Sequence, residues 1–151
     1  MTSSPAAQRI LHAVEIAAPL AKVREALATA EGLRGWWSTR VETSGDPPAH
    51  HFTFQEGFNP VMEIEVDEPD RILWRCTAGA ELWTGNPIEF RFREESGTTQ
   101  LMFSHEYTAP VPDEVYAMFN YSWGYYLESL RLLCAEGAGK PHDGSAFGGA
   151  S

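Results

Sequence analysis

The feature that most constrains the fold of this chain is a change in its hydrophobic period. Between residues 39 and 107, apolar and polar residues alternate with a period of 2, which is typical of strands with one buried and one solvated face. On both sides of this stretch, apolar residues recur every three to four positions, which is typical of amphipathic helices. The pattern predicts an antiparallel sheet flanked by helices.

Turn-forming residues divide the sequence into predicted elements. A first strand covers residues 9–17, and Pro19 begins a short helix over residues 20–30. A second short helix or turn follows at residues 33–37 and carries the adjacent residues Trp36 and Trp37. A long helix extends from Asp113 to about residue 136, where Gly137 ends it. Six further strands are predicted at residues 39–43, 51–55, 61–66, 72–77, 88–93 and 100–107.

A sheet with one dry face needs a cover, and the long last helix is the large amphipathic element that this sequence offers. We therefore predict an α+β helix-grip fold, with a curved antiparallel sheet of about six to seven strands around a long C-terminal helix and two short helices after the first strand. The length of 151 residues fits one domain. We expect an N-terminal arm over residues 1–8, a single ligand-binding domain over residues 9–137 and a flexible tail over residues 138–151.

Composition argues against several classes of partner and site. The formal net charge is −10, which disfavours nucleic acids and anionic membrane surfaces. Cys76 and Cys134 are far apart and lack metal-ligand spacing. No signal peptide or long apolar segment is visible, so we expect a cytoplasmic protein with free thiols. The five histidines lie on separate elements or adjacent strand positions, and we expect no metal and no cofactor.

Four segments, in this order along the chain, carry a family resemblance. They resemble segments of bacterial homologues of the activator of the heat-shock-protein ATPase, within the SRPBCC superfamily that is similar to the birch-pollen allergen and the lipid-transfer START domains. Three are residues 16–37 with Pro19 and the Trp36–Trp37 pair, residues 88–92, and residues 101–105; the fourth is residues 123–141, with Trp123, Tyr126, Leu130 and Gly137.

This resemblance implies a deep cavity between the sheet and the C-terminal helix, which the superfamily uses for apolar ligands. It leaves three functions open. The chain is a carrier or sensor of a small apolar or aromatic molecule, a cyclase- or hydrolase-type enzyme, or a protein-interaction module of the co-chaperone kind. We rank them in that order.

The aromatic residues favour the first function. If the alternation holds, seven large rings point into the space between sheet and helix, where they are difficult to pack without voids. We predict a cavity of about 300–1,000 Å³ there, the usual size of a small-ligand site. The predicted lining residues are Trp74, Phe90, Phe92, Phe103, Phe119, Trp123 and Tyr126.

His105 is the candidate for the second function. It shares a strand face with Leu101 and Phe103, so its side chain is predicted to point inward. An inward histidine orients a ligand carbonyl or acts as an acid or base, together with Glu63 or Glu81. The alternative is a structural histidine that bonds to a tyrosine or to the backbone.

The outer face of the long helix predicts a homodimer. At about 100° per residue, Tyr121, Tyr125 and Leu132 form a stripe opposite the inward one. Tyrosine is enriched at protein interfaces. Glu128 lies within the same stripe and argues against an interface.

Overall fold

The computed structural model describes residues 8–55 and 57–143. Seven strands form one sheet in the order β1-β7-β6-β5-β4-β3-β2, and all neighbours are antiparallel. The strands are β1 (Arg9–Ile16), β2 (Val41–Ser44), β3 (Ala49–Phe52), β4 (Val61–Glu68), β5 (Arg71–Ala78), β6 (Pro87–Glu95) and β7 (Thr98–Glu106).

Three α-helices complete the fold. Two short ones, α1 (Leu20–Ala28) and α2 (Ala30–Arg34), follow β1, and the long helix α3 (Asp113–Glu136) follows β7. A 3₁₀ turn (Glu81–Trp83) separates β5 from β6. Gly137 ends α3 with φ of +91°, a left-handed conformation that favours glycine. The structure confirms the predicted α+β helix-grip fold.

Irregular pairing bends the sheet around α3. The register between β4 and β5 shifts between Val61 and Met62 and again between Ile64 and Val66, and such bulges increase twist and bend a strand. On β5, Ile72, Trp74 and Cys76 are buried while the intervening residues are partly exposed. The inner face of the sheet is therefore the apolar one, as the alternation predicted.

The Trp36–Trp37 pair lies outside the short helices. The predicted first helix is interrupted at Thr29, whose Oγ1 accepts a hydrogen bond from the Gly32 N–H at 3.0 Å and so begins α2. The second helix then ends at Arg34, three residues before the predicted end. Both tryptophans follow in a turn and are buried.

Residues 138–143 pack against the body of the protein. The Lys140 N–H donates to Ser129 Oγ at 2.6 Å, and the His142 N–H donates to the Trp37 carbonyl at 2.9 Å. His142 is buried. The part of the predicted flexible tail that the structure describes is thus bonded to α3 and to the segment after α2. Residues 1–7 of the predicted arm and residues 144–151 lie outside the described residues.

Within the described ranges, none of the helices combines the length and the apolar character needed to cross a bilayer.

Candidate functional site: a donor-rich aromatic interior

The space between the sheet and α3 is filled by aromatic rings that surround Trp37. The Trp37 ring centroid is 4.4 Å from that of Phe52 and 4.9 Å from that of Trp123. It stacks on Trp74 at 6.1 Å and on Trp83 at 6.3 Å. Trp37 thus joins β3, β5, the 3₁₀ turn and α3 in one cluster, which we call the aromatic interior.

All seven rings predicted to line a cavity are buried. Phe103 brings several of them together, because its centroid is 4.4 Å from Trp123 and 5.3 Å from Phe90. Trp74 contacts Phe90 edge-on at 4.9 Å. Phe92 lies further along β6, where it is paired in register with Leu101. Phe119 and Tyr126 lie on the inward face of α3.

The predicted large cavity at these rings is wrong for this conformation. The space bounded by Phe119, Trp123 and Tyr126 measures only about 10 Å³, which is about one water molecule. Five rings that were not among the predicted lining residues occupy the volume. Trp37, Phe58 and Trp83 lie in turns and loops, while Phe52 ends β3 and Phe54 follows it.

His105 is fully buried on β7, and each of its ring nitrogens lies 3.0 Å from a side-chain nitrogen. The Trp123 indole N–H donates to Nδ1 at 3.0 Å, and the Asn86 side-chain amide nitrogen lies 3.0 Å from Nε2. Thr108 orients that amide, since its N–H donates to Asn86 Oδ1 at 3.0 Å. The bond from Trp123 fixes the imidazole against α3, and its other nitrogen faces the Asn86 amide after the 3₁₀ turn.

This arrangement surrounds His105 with donors. Because the Trp123 indole nitrogen only donates, the single proton of the neutral imidazole belongs on Nε2, where it faces the NH₂ group of Asn86. Burial also lowers the pKa of His105 from 6.5 to about 3, because the interior disfavours the charged ring. The geometry supports a positioning role for His105 better than an acid–base role.

Neither carboxylate considered as a partner of His105 is bonded to it. Glu63 is paired in register with Arg75 on β4 and β5, three strands away from β7, which corresponds to roughly 14 Å. Glu81 is exposed on the 3₁₀ turn. The structure therefore assembles no acid–base pair from the residues that the sequence analysis selected.

Four buried polar atoms in or beside the aromatic interior lack a hydrogen-bond partner within the described part of the chain. They are Trp74 Nε1, Trp83 Nε1, the Tyr107 hydroxyl and the Tyr126 hydroxyl. Each such atom costs about 1–3 kcal/mol relative to one that is bonded. These four atoms are thus buried donors that the described part of the chain leaves unsatisfied.

Burial raises the pKa of both tyrosine hydroxyls. It raises the pKa of Tyr126 to about 12, with smaller contributions from Tyr125 and Asp143. It also raises the pKa of Tyr107 well above its ordinary value. The Trp83 indole is close enough to oppose part of the rise in Tyr107, but neither group completes a hydrogen bond of ordinary geometry. Both hydroxyls therefore stay protonated and able to donate.

Trp83 closes the aromatic interior from a short turn between two glycines. Gly79 and Gly85 have φ of +83° and +88°, values that favour glycine. At Gly79 a Cβ atom would lie 1.8 Å from the Asn59 carbonyl oxygen, and the Asn59 N–H donates to the Gly79 carbonyl at 2.8 Å. The turn and the segment that carries Phe58 are thus held together as one cover.

Three other histidines, His12, His50 and His142, are at least half-buried. His50 Nδ1 bonds to Thr43 Oγ1 at 2.6 Å, whereas Nε2 of His50 and of His12 find no partner within the described residues. Burial lowers the pKa of His50 to about 4. No group of three or more His, Cys, Asp and Glu side chains in the described ranges is placed to hold a metal ion.

The outer face of α3 remains partly apolar. Tyr121 is 57% exposed and Met118 is 48% exposed, while Tyr125 and Leu132 are half-buried. Glu128, the charge within this stripe, forms an ion pair with Arg131 at 2.6 Å.

Comparison with known proteins identifies the family to which this chain belongs. The family model described as Activator of Hsp90 ATPase homolog 1-like protein matches residues 17–135. No curated protein matches the chain in sequence. Several solved structures are similar to this chain over most of its length. The solution structure of the Aha1 dimer from Colwellia psychrerythraea is 26% identical with a TM-score of 0.74, and the match covers 87% of this chain and 99% of that one.

Two further structures share the fold at lower identity. CalU16 from Micromonospora echinospora is 20% identical with a TM-score of 0.65, and the match covers 89% of this chain and 78% of that one. DynU16, described as a putative protein in the dynemicin biosynthetic locus, is 18% identical with a TM-score of 0.69, and the match covers 87% of this chain and 48% of that one. Because the family model matches well over half of the sequence, the chain belongs to the family of Activator of Hsp90 ATPase homolog 1-like proteins.

Proposed function

We propose that this protein binds a small aromatic molecule carrying hydrogen-bond acceptors, in a site that opens between Trp83, Phe58 and α3. The observation that carries the proposal is the set of unpartnered donors around one closed aromatic cluster. An aromatic carbonyl compound offers a face for stacking and an oxygen for these donors. The helix-grip fold is compatible with such binding.

The position of the donors supports an entry beneath the 3₁₀ turn. Trp83 packs edge-on against His105 at 4.8 Å and against Phe119 at 5.1 Å, and Tyr107 stacks on the same histidine at 4.4 Å. Tyr126 borders the small space beside them. Outward movement of Trp83 and Phe58 would expose these donors while the strands and α3 stay in place.

The 3₁₀ turn, which is part of this cover, has the features of a locally less stable segment. The 3₁₀ turn has three residues and its Leu82 is about half-exposed, so apart from the packing of Trp83 the turn is held by less backbone pairing than the strands. A ligand that fits the opened form shifts the population towards it. In this account the filled interior is the unliganded, closed form of the site.

The test compares 9-fluorenone with fluorene, which have the same ring skeleton and differ by one carbonyl. We expect 9-fluorenone to bind more tightly by at least about tenfold, because only it supplies an acceptor. Trp83→Phe and Tyr126→Phe remove unpartnered donors and should reduce this preference. Tyr121→Phe, which changes an exposed tyrosine on α3, should leave it unchanged. Equal binding of the two compounds, or binding of neither, would contradict the proposal.

We also infer a homodimer that uses the outer face of α3. Tyr121 and Met118 are exposed there, the charge of Glu128 is offset by Arg131, and the similar Aha1 structure is described as a dimer.

We also propose a cytoplasmic location, since Cys76 and Cys134 are both free and buried.

A further inference from the structure

The edge of the sheet opposite β1 carries a polar cleft of about 480 Å³, separate from the aromatic interior. Arg34 at the end of α2 and Thr39 and Arg40 before β2 form one wall. Glu42 on β2, His51 on β3 and Thr53 just after β3 form the other.

The two arginines of this cleft differ from most other arginines of the chain because they form no ion pair among the described residues. Arg24, Arg71, Arg75, Arg91 and Arg131 each pair with a carboxylate. Arg34 and Arg40 form no ion pair within the described part of the chain, although the sequence has 21 acidic against 11 basic residues. A shortage of carboxylates therefore does not explain why two guanidinium groups stay unpaired in one cleft.

Both arginines are placed by specific bonds. The Arg34 Nε donates to the Val41 carbonyl at 2.9 Å, which fixes the plane of the guanidinium and leaves its terminal N–H groups free for a ligand. The backbone of Arg40 is bonded on both sides, since its N–H donates to Ser38 Oγ at 3.2 Å and its carbonyl accepts from Thr53 at 2.9 Å. The fixed guanidinium of Arg34 lowers the entropic cost of binding, and the backbone bonds of Arg40 fix where its side chain begins.

The strand register brings the remaining groups to the same face. Val41 and Phe52 are paired and both buried, so the neighbouring pairs point to the opposite, outer face of the sheet. Glu42 and His51 form one of these pairs. Two guanidinium groups against one carboxylate leave the cleft positive, and the hydroxyls of Thr39 and Thr53 add uncharged donors.

The geometry points to a binding site for a compact oxyanion, the phosphate or carboxylate group of a small molecule, held by Arg34 and Arg40. Planar guanidinium groups bind both kinds of oxyanion through paired N–H bonds. Glu42 limits the site to a single anionic group and offers an acceptor to a neighbouring hydroxyl of the ligand.

Nuclear magnetic resonance titration with inorganic phosphate, and separately with acetate, at constant ionic strength tests this site. We expect the backbone amides of Thr39 and Thr53 to shift and saturate with at least one of the two anions, at a Kd in the low millimolar range or tighter. Arg40→Gln keeps the backbone bonds of residue 40 and should weaken binding at least about tenfold. Arg93→Gln removes the same charge from an exposed arginine on β6 outside the cleft and should leave binding unchanged.

The phosphate and acetate titrations distinguish phosphorylated from carboxylated ligands. Saturation by phosphate alone assigns phosphorylated ligands, by acetate alone carboxylated ligands, and by both either kind. Shifts that do not saturate below about 20 mM with either anion, or saturation that survives Arg40→Gln, would overturn the proposal. A well-dispersed spectrum of Arg40→Gln shows that the variant is folded.

Discussion

The indole N–H of Trp123 on α3 donates to Nδ1 of His105 on β7, and the two nitrogens lie 3.0 Å apart between two buried side chains. This bond joins the long helix to β7, the strand next to the β1 edge of the sheet. It also fixes the histidine ring against which Trp83 and Tyr107 pack. The bond therefore links the stability of the helix grip to the geometry of the proposed site.

Removing this bond should destabilise the fold more than removing an indole that has no partner. Trp123→Phe leaves His105 Nδ1 without a donor, whereas Trp83→Phe removes an N–H that is already unpaired. We expect Trp123→Phe to lower the free energy of unfolding by about 1–3 kcal/mol more than Trp83→Phe. Chemical denaturation of both variants measures the difference, and equal losses would show that the bond contributes nothing.

Acid should destabilise the protein well above the range in which carboxylates titrate. Burial lowers the pKa of His105 to about 3 and that of His50 to about 4 in the folded chain, from 6.5. The unfolded chain thus binds more protons below pH 6.5, and stability is present above that pH and lost as the pH falls towards the folded pKa values. The loss is roughly 1.4 kcal/mol per pH unit for each histidine.

Urea denaturation at pH 7 and pH 5 checks this pH dependence. His50→Gln should remove about half of the difference, because one of the two buried rings no longer titrates. A wild-type unfolding free energy that is the same at both pH values would mean that the folded chain protonates these rings freely.

Much of the fold follows from local pattern. The alternation around Trp74 and Phe90 places each residue on the buried face of β5 or β6, and the spacing of Phe119, Trp123 and Tyr126 places them on the buried face of α3. These positions are set by the periods of strand and helix, so the sequence is sufficient to predict them.

The filling of the interior does not follow from local pattern. Trp37, Phe58 and Trp83 lie in turns and loops, where no periodicity indicates whether a side chain points inward. Their positions depend on long-range contacts such as those between Trp37 and Phe52 and between Trp83 and Phe119. The sequence therefore indicates which rings line the space, and only the three-dimensional structure shows which rings occupy it.

Gly79 should be required for the cover over the aromatic interior. Gly79→Ala places a Cβ atom 1.8 Å from the Asn59 carbonyl oxygen, which separates the 3₁₀ turn from the segment that carries Phe58. Gly97 has a similar φ of +77°, but its Cβ would meet nothing within 4 Å, so Gly97→Ala measures the backbone cost alone, about 1 kcal/mol. Thermal denaturation should show a clearly larger loss for Gly79→Ala, and similar losses would argue against a tight joint between the two segments.

The proposed dimer should be visible as mass in solution. Multi-angle light scattering at micromolar concentration should give about twice the protomer mass of 16.8 kDa. Tyr121→Glu, which places a charge on the exposed centre of the α3 face, should give a monomer, because charges are depleted from interface cores. A monomeric wild type, or a dimer that survives the substitution, would reject this interface.

The indole N–H resonances of the five tryptophans give the most direct test of ligand binding in the aromatic interior. In ¹⁵N–¹H spectra assigned through single Trp→Phe variants, titration with 9-fluorenone should shift the Trp83 N–H resonance to saturation as it gains an acceptor. The Trp36 N–H already donates to the Ala26 carbonyl at 2.8 Å, so its resonance should change little. Five unmoved indole resonances at saturating 9-fluorenone would contradict the proposal that this interior opens to bind an aromatic acceptor.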